Sequence, residues 1–138
     1  MQIRRIRHLN ALLAAQIAIL CAKLPDLRLD KYIEYLYTIA SDKDTGLFGA
    51  WDDKGNLVAF VQNELPCDYM PGIGWMHIAC AEPTVPRKTM DDLCETINTW
   101  FRDNGATEWK SITEHSPRAC ERLYGAKMTN EKVLQRTL

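Results

Sequence analysis

The chain has 138 residues, 46% of them hydrophobic, which fits one globular domain with a buried core. Its charged residues nearly balance at a formal net charge of −1, so no global field draws it to nucleic acid or to an anionic membrane. Five cysteines, an odd count with no Cys-x-x-Cys spacing, argue against a disulfide framework or a zinc site and for a reducing compartment.

Gln2 to Arg7 reads as a short strand with apolar residues at 3 and 6. Arg4-Arg5-Ile6-Arg7 before the apolar run Ala11 to Ala22 has the outline of a signal peptide. Gln16 interrupts that run, and Cys21-Ala22-Lys23 offers no cleavage site of small residues. The expectation is therefore a buried first helix, Leu9 to Lys23, too short to span a bilayer and stopped by Pro25. Asp30 suits the N-cap of a second helix, Lys31 to Ala40, with Tyr32, Ile33, Leu36, Tyr37 and Ala40 as its apolar face.

Leu47 to Trp51 and Leu57 to Leu65 flank the polar turn Asp52-Asp53-Lys54-Gly55-Asn56, a hairpin pattern. Pro66 to Gly74 reads as a long loop. Met76 to Ala81 is a short apolar strand ending at Glu82-Pro83. A helix is predicted from Thr89 to Asp103, with Trp100-Phe101 toward the sheet, closed by Asn104-Gly105-Ala106. Glu108 to Thr113 follows as a strand. Ser116-Pro117-Arg118-Ala119 opens a short helix that stops at Gly125, and Val133 to Thr137 suits a last strand. Cys80, Cys94 and Cys120 read as small buried hydrophobes, and the four tryptophans as packing residues.

The order β-α-α-β-β-β-α-β-α-β, an α/β chain with a mixed sheet, resembles the GNAT superfamily of N-acetyltransferases over nearly the whole chain. Local features carry the resemblance. The hairpin Gly49-Ala50-Trp51-Asp52 to Gly55-Asn56-Leu57-Val58-Ala59 looks like the family's paired strands two and three. Ala79-Cys80-Ala81-Glu82-Pro83, then Leu93, Ile97, Trp100-Phe101 and Gly105-Ala106, is similar to its strand four, helix three and lead into strand five. Ser116-Pro117-Arg118-Ala119 to Leu123-Tyr124-Gly125-Ala126 looks like its final helix.

The resemblance implies acetyl-CoA as cofactor, no metal, and an amine acceptor, either a small molecule or a protein amino group. The backbone of Ile78, Ala79, Cys80 and Ala81 would pair with the pantetheine arm. The pyrophosphate would sit on the start of helix three, because the first amides of a helix lack partners and its dipole is positive there. Arg87 falls at the family's leading position, with Lys88 and Thr89 beside it. Met90 and Asp92 stand where the family has glycines, Pro86 supplies no N–H, and Asp91 and Asp92 oppose a phosphate. Ser116, where the family usually opens its last helix with Asn, joins the cofactor contacts.

Acid–base chemistry must deprotonate the amine and protonate the CoA thiolate. Glu82, at the end of strand four, is the expected base, with Glu64 at the end of strand three as the alternative. Tyr124 matches the family's proton donor, although the distance from Arg118 to Gly125 is short for the family. His77 can move protons near neutral pH, yet reads as structural. Glu114 and His115 read as a polar strand end, and Cys80 as a core residue rather than a nucleophile.

Two function classes follow. One is a cytoplasmic N-acetyltransferase working by direct attack in a ternary complex. The other is a non-catalytic GNAT-like structural or interaction protein, for example a phage virion component, with Tyr69 and Met70 of the long loop as contact surface for a protein partner or a second copy. The glycine-free loop Thr84 to Thr89 favours the second. Contact with nucleic acid through Arg4, Arg5, Arg7 and His8 lacks a basic domain to support it.

Overall fold

A computed structural model describes residues 1–112, 117–129 and 131–137. Along them run β1 (Gln2–Ile6), α1 (Ala11–Cys21), α2 (Leu29–Ile39), β2 (Thr45–Trp51), β3 (Leu57–Glu64), β4 (Ile73–Ala81), α3 (Arg87–Asp103), β5 (Glu108–Lys110) and α4 (Pro117–Tyr124). The strands form one sheet in the order β1-β2-β3-β4-β5. All neighbours are antiparallel except β4 and β5, which are parallel.

Local chemistry sets the element ends. Asn10 caps α1 by accepting a hydrogen bond from the Leu13 amide at 2.8 Å. Asp52 closes the β2–β3 turn, where its Oδ1 accepts from the amides of Lys54 at 3.0 Å and Asn56 at 2.8 Å. The Asn56 amide bond in particular holds the Asp52 carboxyl below its ordinary pKa. Gly55 takes φ +82° there, a left-handed position that favours glycine.

The sheet carries a core on each face. On one, α1 and α2 bury Ile17, Leu20 and Leu36 against Leu47, Leu57 and Phe60. On the other, α3 buries Leu93, Ile97, Trp100 and Phe101 against Phe48, Val61 and Met76. Trp100 and Phe101 face the sheet as expected. Their bulk is admitted by missing side chains opposite: a Cβ on Gly46 would stand 2.6 Å from Trp100 Cη2, and one on Gly74 2.3 Å from Phe101 Cε1. Gly74→Ala is therefore expected to destabilise the protein by about 2–3 kcal/mol through overpacking. The reading is a lower urea midpoint at constant slope; an unmoved midpoint contradicts this packing.

Several expected boundaries differ. Helix α2 begins at Leu29 with Arg28 as N-cap, so Asp30 lies in the first turn, where its charge still suits the helix dipole. Tyr37 is exposed, because the face toward the sheet is set by Tyr32, Leu36 and Ala40. Strand β4 begins at Ile73 rather than Met76, since Ile73, Gly74 and Trp75 pair with β5. Helix α3 starts at Arg87, two residues before Thr89. Strand β5 ends at Lys110; Ser111 and Ile112 leave the sheet, and Thr113 lies outside the described residues, as do Glu114, His115 and Ser116. The last strand, 133–137, is not formed. Val133 is 72% and Leu134 97% exposed, and no sheet edge pairs with them. Trp75 and Cys94 are half-buried, and Cys80 and Trp109, also half-buried, pack against the two cores.

Candidate active site

The site is built by one irregularity in the sheet. Strands β4 and β5 pair only through Ile73, Gly74 and Trp75 with Glu108, Trp109 and Lys110. Beyond Trp75 the two diverge, and Ser111 Oγ reaches across the vertex to the Met76 carbonyl at 2.8 Å. On its other side β4 carries a bulge: Asn63 pairs with Met76 and Gln62 with Ile78, so His77 is the extra residue. A bulge bends and twists its strand, which turns β4 away from β5.

The divergence opens a cleft of about 300 Å³ between β4, α3 and α4. Ala79, Cys80 and Ala81 line it on the strand side, with Met90, Leu93 and Ile97 opposite and Tyr124 from α4. Ile78 belongs to the other face, packed against the core under α1 and α2, and Cys80, though it borders the cleft, packs its side chain against the same core. A wider groove of about 770 Å³ lies between β1, α1 and the β2–β3 turn. Asp52 and Asp53 rim it, and no diverging strand enters it.

One end of the cleft is the start of α3. Pro86 is its N-cap and brings no side-chain acceptor, while its carbonyl accepts from the amides of Thr89 at 3.0 Å and Met90 at 3.2 Å, so only Arg87 and Lys88 precede the first backbone bonds of the helix. The cations there are held within the chain. Arg87 Nε donates to Asp91 Oδ1 at 3.0 Å, and its Nη2 to the Arg122 carbonyl of α4. Lys88 Nζ lies 2.9 Å from Asp92 Oδ2, and this hydrogen bond pushes the Lys88 ammonium above its ordinary pKa. Thr89 is buried and turned away, with Oγ1 2.9 Å from Met1 Sδ. Glu82 lines this end as well, and its carboxylate sits 3.8 Å from Lys23 Nζ.

The vertex carries different chemistry. Glu64 Oε2 and His77 Nε2 are 2.7 Å apart, with side chains 54% and 41% exposed. In the loop after β3 the Tyr69 phenol is pushed above its ordinary pKa, first by its hydrogen bond to Cys67 and least by the Glu64 charge. Tyr124 stands edge-on to Trp109, ring centroids 6.2 Å apart, and Trp109 pairs with Gly74 at the vertex. The residues named from sequence thus divide. Glu64 and Tyr124 lie toward the vertex, Glu82, Arg87 and Lys88 toward α3, Thr89 points elsewhere, and Ser116 lies outside the described residues. Sequence reasoning missed the Glu64–His77 pair as a unit, because only the bulge brings His77 beside Glu64. Among the described residues, no group of three or more His, Cys, Asp or Glu is placed to hold a metal ion, and no helix is long and apolar enough to cross a membrane.

No family model and no curated protein matches the sequence. Solved structures match the fold over the whole chain. The aminoglycoside antibiotic 6'-N-acetyltransferase AAC(6')-IG from Acinetobacter haemolyticus superposes with a TM-score of 0.78 at 16% identity, covering 100% of this chain and 99% of its own. AAC(6')-Iy, in complex with the bisubstrate analogue CoA-S-monomethyl-acetylneamine, gives 0.75 at 19% identity, with 99% and 97% covered. A ribosomal-protein-alanine N-acetyltransferase from Brucella melitensis biovar Abortus gives 0.70 at 20% identity, with 100% of both chains covered. The fold is GNAT-like.

Proposed function

We propose that the chain is an N-acetyltransferase that moves acetyl from acetyl-CoA to an amine by direct attack in a ternary complex. The observation that carries this reading is the divergence of β4 from β5 after Trp75, which opens a cleft running from the vertex to the start of α3. Its walls suit a pantetheine arm: a strand edge free of β5 from Ile78 to Ala81, facing the apolar side chains of Met90, Leu93 and Ile97. The first two amides of α3, those of Arg87 and Lys88, suit the pyrophosphate. Arg87 and Lys88 flank that position, although Asp91 and Asp92 now hold them.

The roles follow from direction. With the anionic end of the cofactor on α3, the thioester end reaches the vertex. His77 and Glu82 are five residues apart, about 16 Å along an extended strand. The base that deprotonates the amine is therefore assigned to His77, with Glu64 holding its imidazole and sharing the positive charge. Glu82 stays at the phosphate end. Tyr124, beside Trp109, is assigned as the proton donor to the departing thiolate. The acceptor is a small amine or a protein amino group, and the enzyme acts in the cytoplasm.

A second reading is favoured by one observation. Both cations near the phosphate position are neutralised at i, i+4 within α3 itself. A GNAT-like domain that has given up CoA would look so, and would serve as a structural or interaction protein, such as a virion component. A thiol-release assay separates the readings. Acetyl-CoA is incubated with an aminoglycoside and with a peptide bearing an N-terminal alanine, the acceptor types suggested by the names of the fold neighbours. Acceptor-dependent release of CoA thiol supports the enzyme; release no faster than without protein across a wide amine panel supports the second reading.

A further inference from the structure

Cys21, the last residue of α1, and Cys80 on β4 lie 59 positions apart in sequence, yet their Sγ atoms are 3.3 Å apart. Cys21 is 1% exposed, whereas Cys80 is half-buried and lines the cleft. The two sulfurs need to close by only about 1.3 Å to reach bonding distance. We propose that Cys21 and Cys80 are a site of oxidative modification, which a peroxide converts to an intramolecular disulfide joining α1 to β4.

The partners are unequal in a way that orders the steps. The hydrogen bond with Cys21 holds the Cys80 thiol below its ordinary pKa against the effect of burial, and the charge of Lys23 adds to this. The same contact and burial push the Cys21 thiol up. Cys80 is thus both the less buried residue of the two and the one whose thiolate is favoured. Its thiolate attacks one oxygen of hydrogen peroxide, forming Cys80 sulfenic acid; the other oxygen leaves as hydroxide and takes a proton to become water. Cys21 sulfur then attacks Cys80 Sγ, its proton and the departing hydroxide leave as a second water, and the disulfide is formed. Two electrons pass from the sulfurs to the peroxide. A dithiol returns them by exchange. Cys94 makes a contrast within the same chain: burial, then the Asp91 charge, push its thiol up to about 11, so it stays protonated at neutral pH.

The test uses the full chain. The reduced protein is treated with a small excess of hydrogen peroxide, the remaining thiols are blocked with iodoacetamide, and peptides are mapped with and without dithiothreitol. The expected result is one linked peptide pair, Cys21 with Cys80, and a pre-alkylation mass lower by about 2 Da. Cys21→Ser should stop at Cys80 sulfenic acid, captured as a dimedone adduct. The proposal is overturned if Cys21 and Cys80 both remain alkylatable, or if the linked pair involves Cys67, Cys94 or Cys120. The wild-type map decides alone should the variant fail to fold. Binding of acetyl-CoA plays no part in the readout, so the result stands apart from the enzymatic reading.

Discussion

His77→Ala is expected to lower kcat about 100- to 1,000-fold while leaving acetyl-CoA affinity within about twofold. The imidazole sits on the bulge of β4, at the vertex where the thioester end of the cofactor is assigned, and Glu64 is 2.7 Å away. Loss of a proton acceptor acts on the step in which the amine becomes nucleophilic, not on the contacts along the cleft. Glu64→Gln keeps a hydrogen-bonding partner for His77 but removes the charge, so a smaller loss, about 10- to 100-fold, is expected. Glu82→Gln supplies the control. Its carboxylate pairs with Lys23 at 3.8 Å near the start of α3, so turnover should hold. Steady-state kinetics on the three variants decides the matter. A collapse of kcat in Glu82→Gln, with His77→Ala active, would move the base to the other end of the cleft.

The second large effect concerns the start of α3. Asp91→Asn combined with Asp92→Asn should tighten acetyl-CoA binding about 30-fold. Two carboxylates close to a bound pyrophosphate oppose it by about 1 kcal/mol each in a half-solvated site, and removing them also frees Arg87 and Lys88 from their partners at 3.0 and 2.9 Å. The lost helix pairs stabilise by only about 0.3–0.5 kcal/mol each, so the fold should survive. The dissociation constant by calorimetry, with kcat as companion, reads the effect. Unchanged or weaker binding in the double variant would mean that the phosphates do not approach this helix end. High salt should shrink the difference, since these side chains are about half exposed or more.

Why some of this was legible and some not follows from range. The β2–β3 hairpin was written in five consecutive residues, because Asp52, Gly55 and Asn56 make their contacts with one another. The sheet-facing stripe of α3, Leu93, Ile97 and Trp100-Phe101, was marked by the resemblance of this segment to the family's third helix. The start of β4 was not. Ile73-Gly74-Trp75 follows a proline and a glycine and reads as loop, and only pairing with β5, more than thirty residues on, makes it strand. The glycine that suggested a turn is there because Phe101 occupies its side-chain space.

Nonlocal register also hid the site. Glu64 and His77 stand 13 positions apart in sequence. Their contact depends on which residue of β3 faces which of β4, and the bulge at His77 changes that register by one. The Cys21–Cys80 approach is of the same kind, joining a helix end to a strand. By contrast, the pairing of Arg87 with Asp91 and Lys88 with Asp92 is helical spacing of four, visible once α3 is known to begin at Arg87 rather than Thr89. The expected strand at 133–137 failed for the opposite reason. Its apolar residues have β character, but a strand also needs an edge, and the neighbouring β5 is three residues long.

Calorimetric titration of the chain with acetyl-CoA tests the central claim most directly, because binding in the cleft precedes every role assigned above. The account predicts one site per chain with a dissociation constant of tens of micromolar, about −6 kcal/mol, and a matching rise in melting temperature as ligand is added. Absence of binding heat and of any thermal shift at millimolar acetyl-CoA would contradict it.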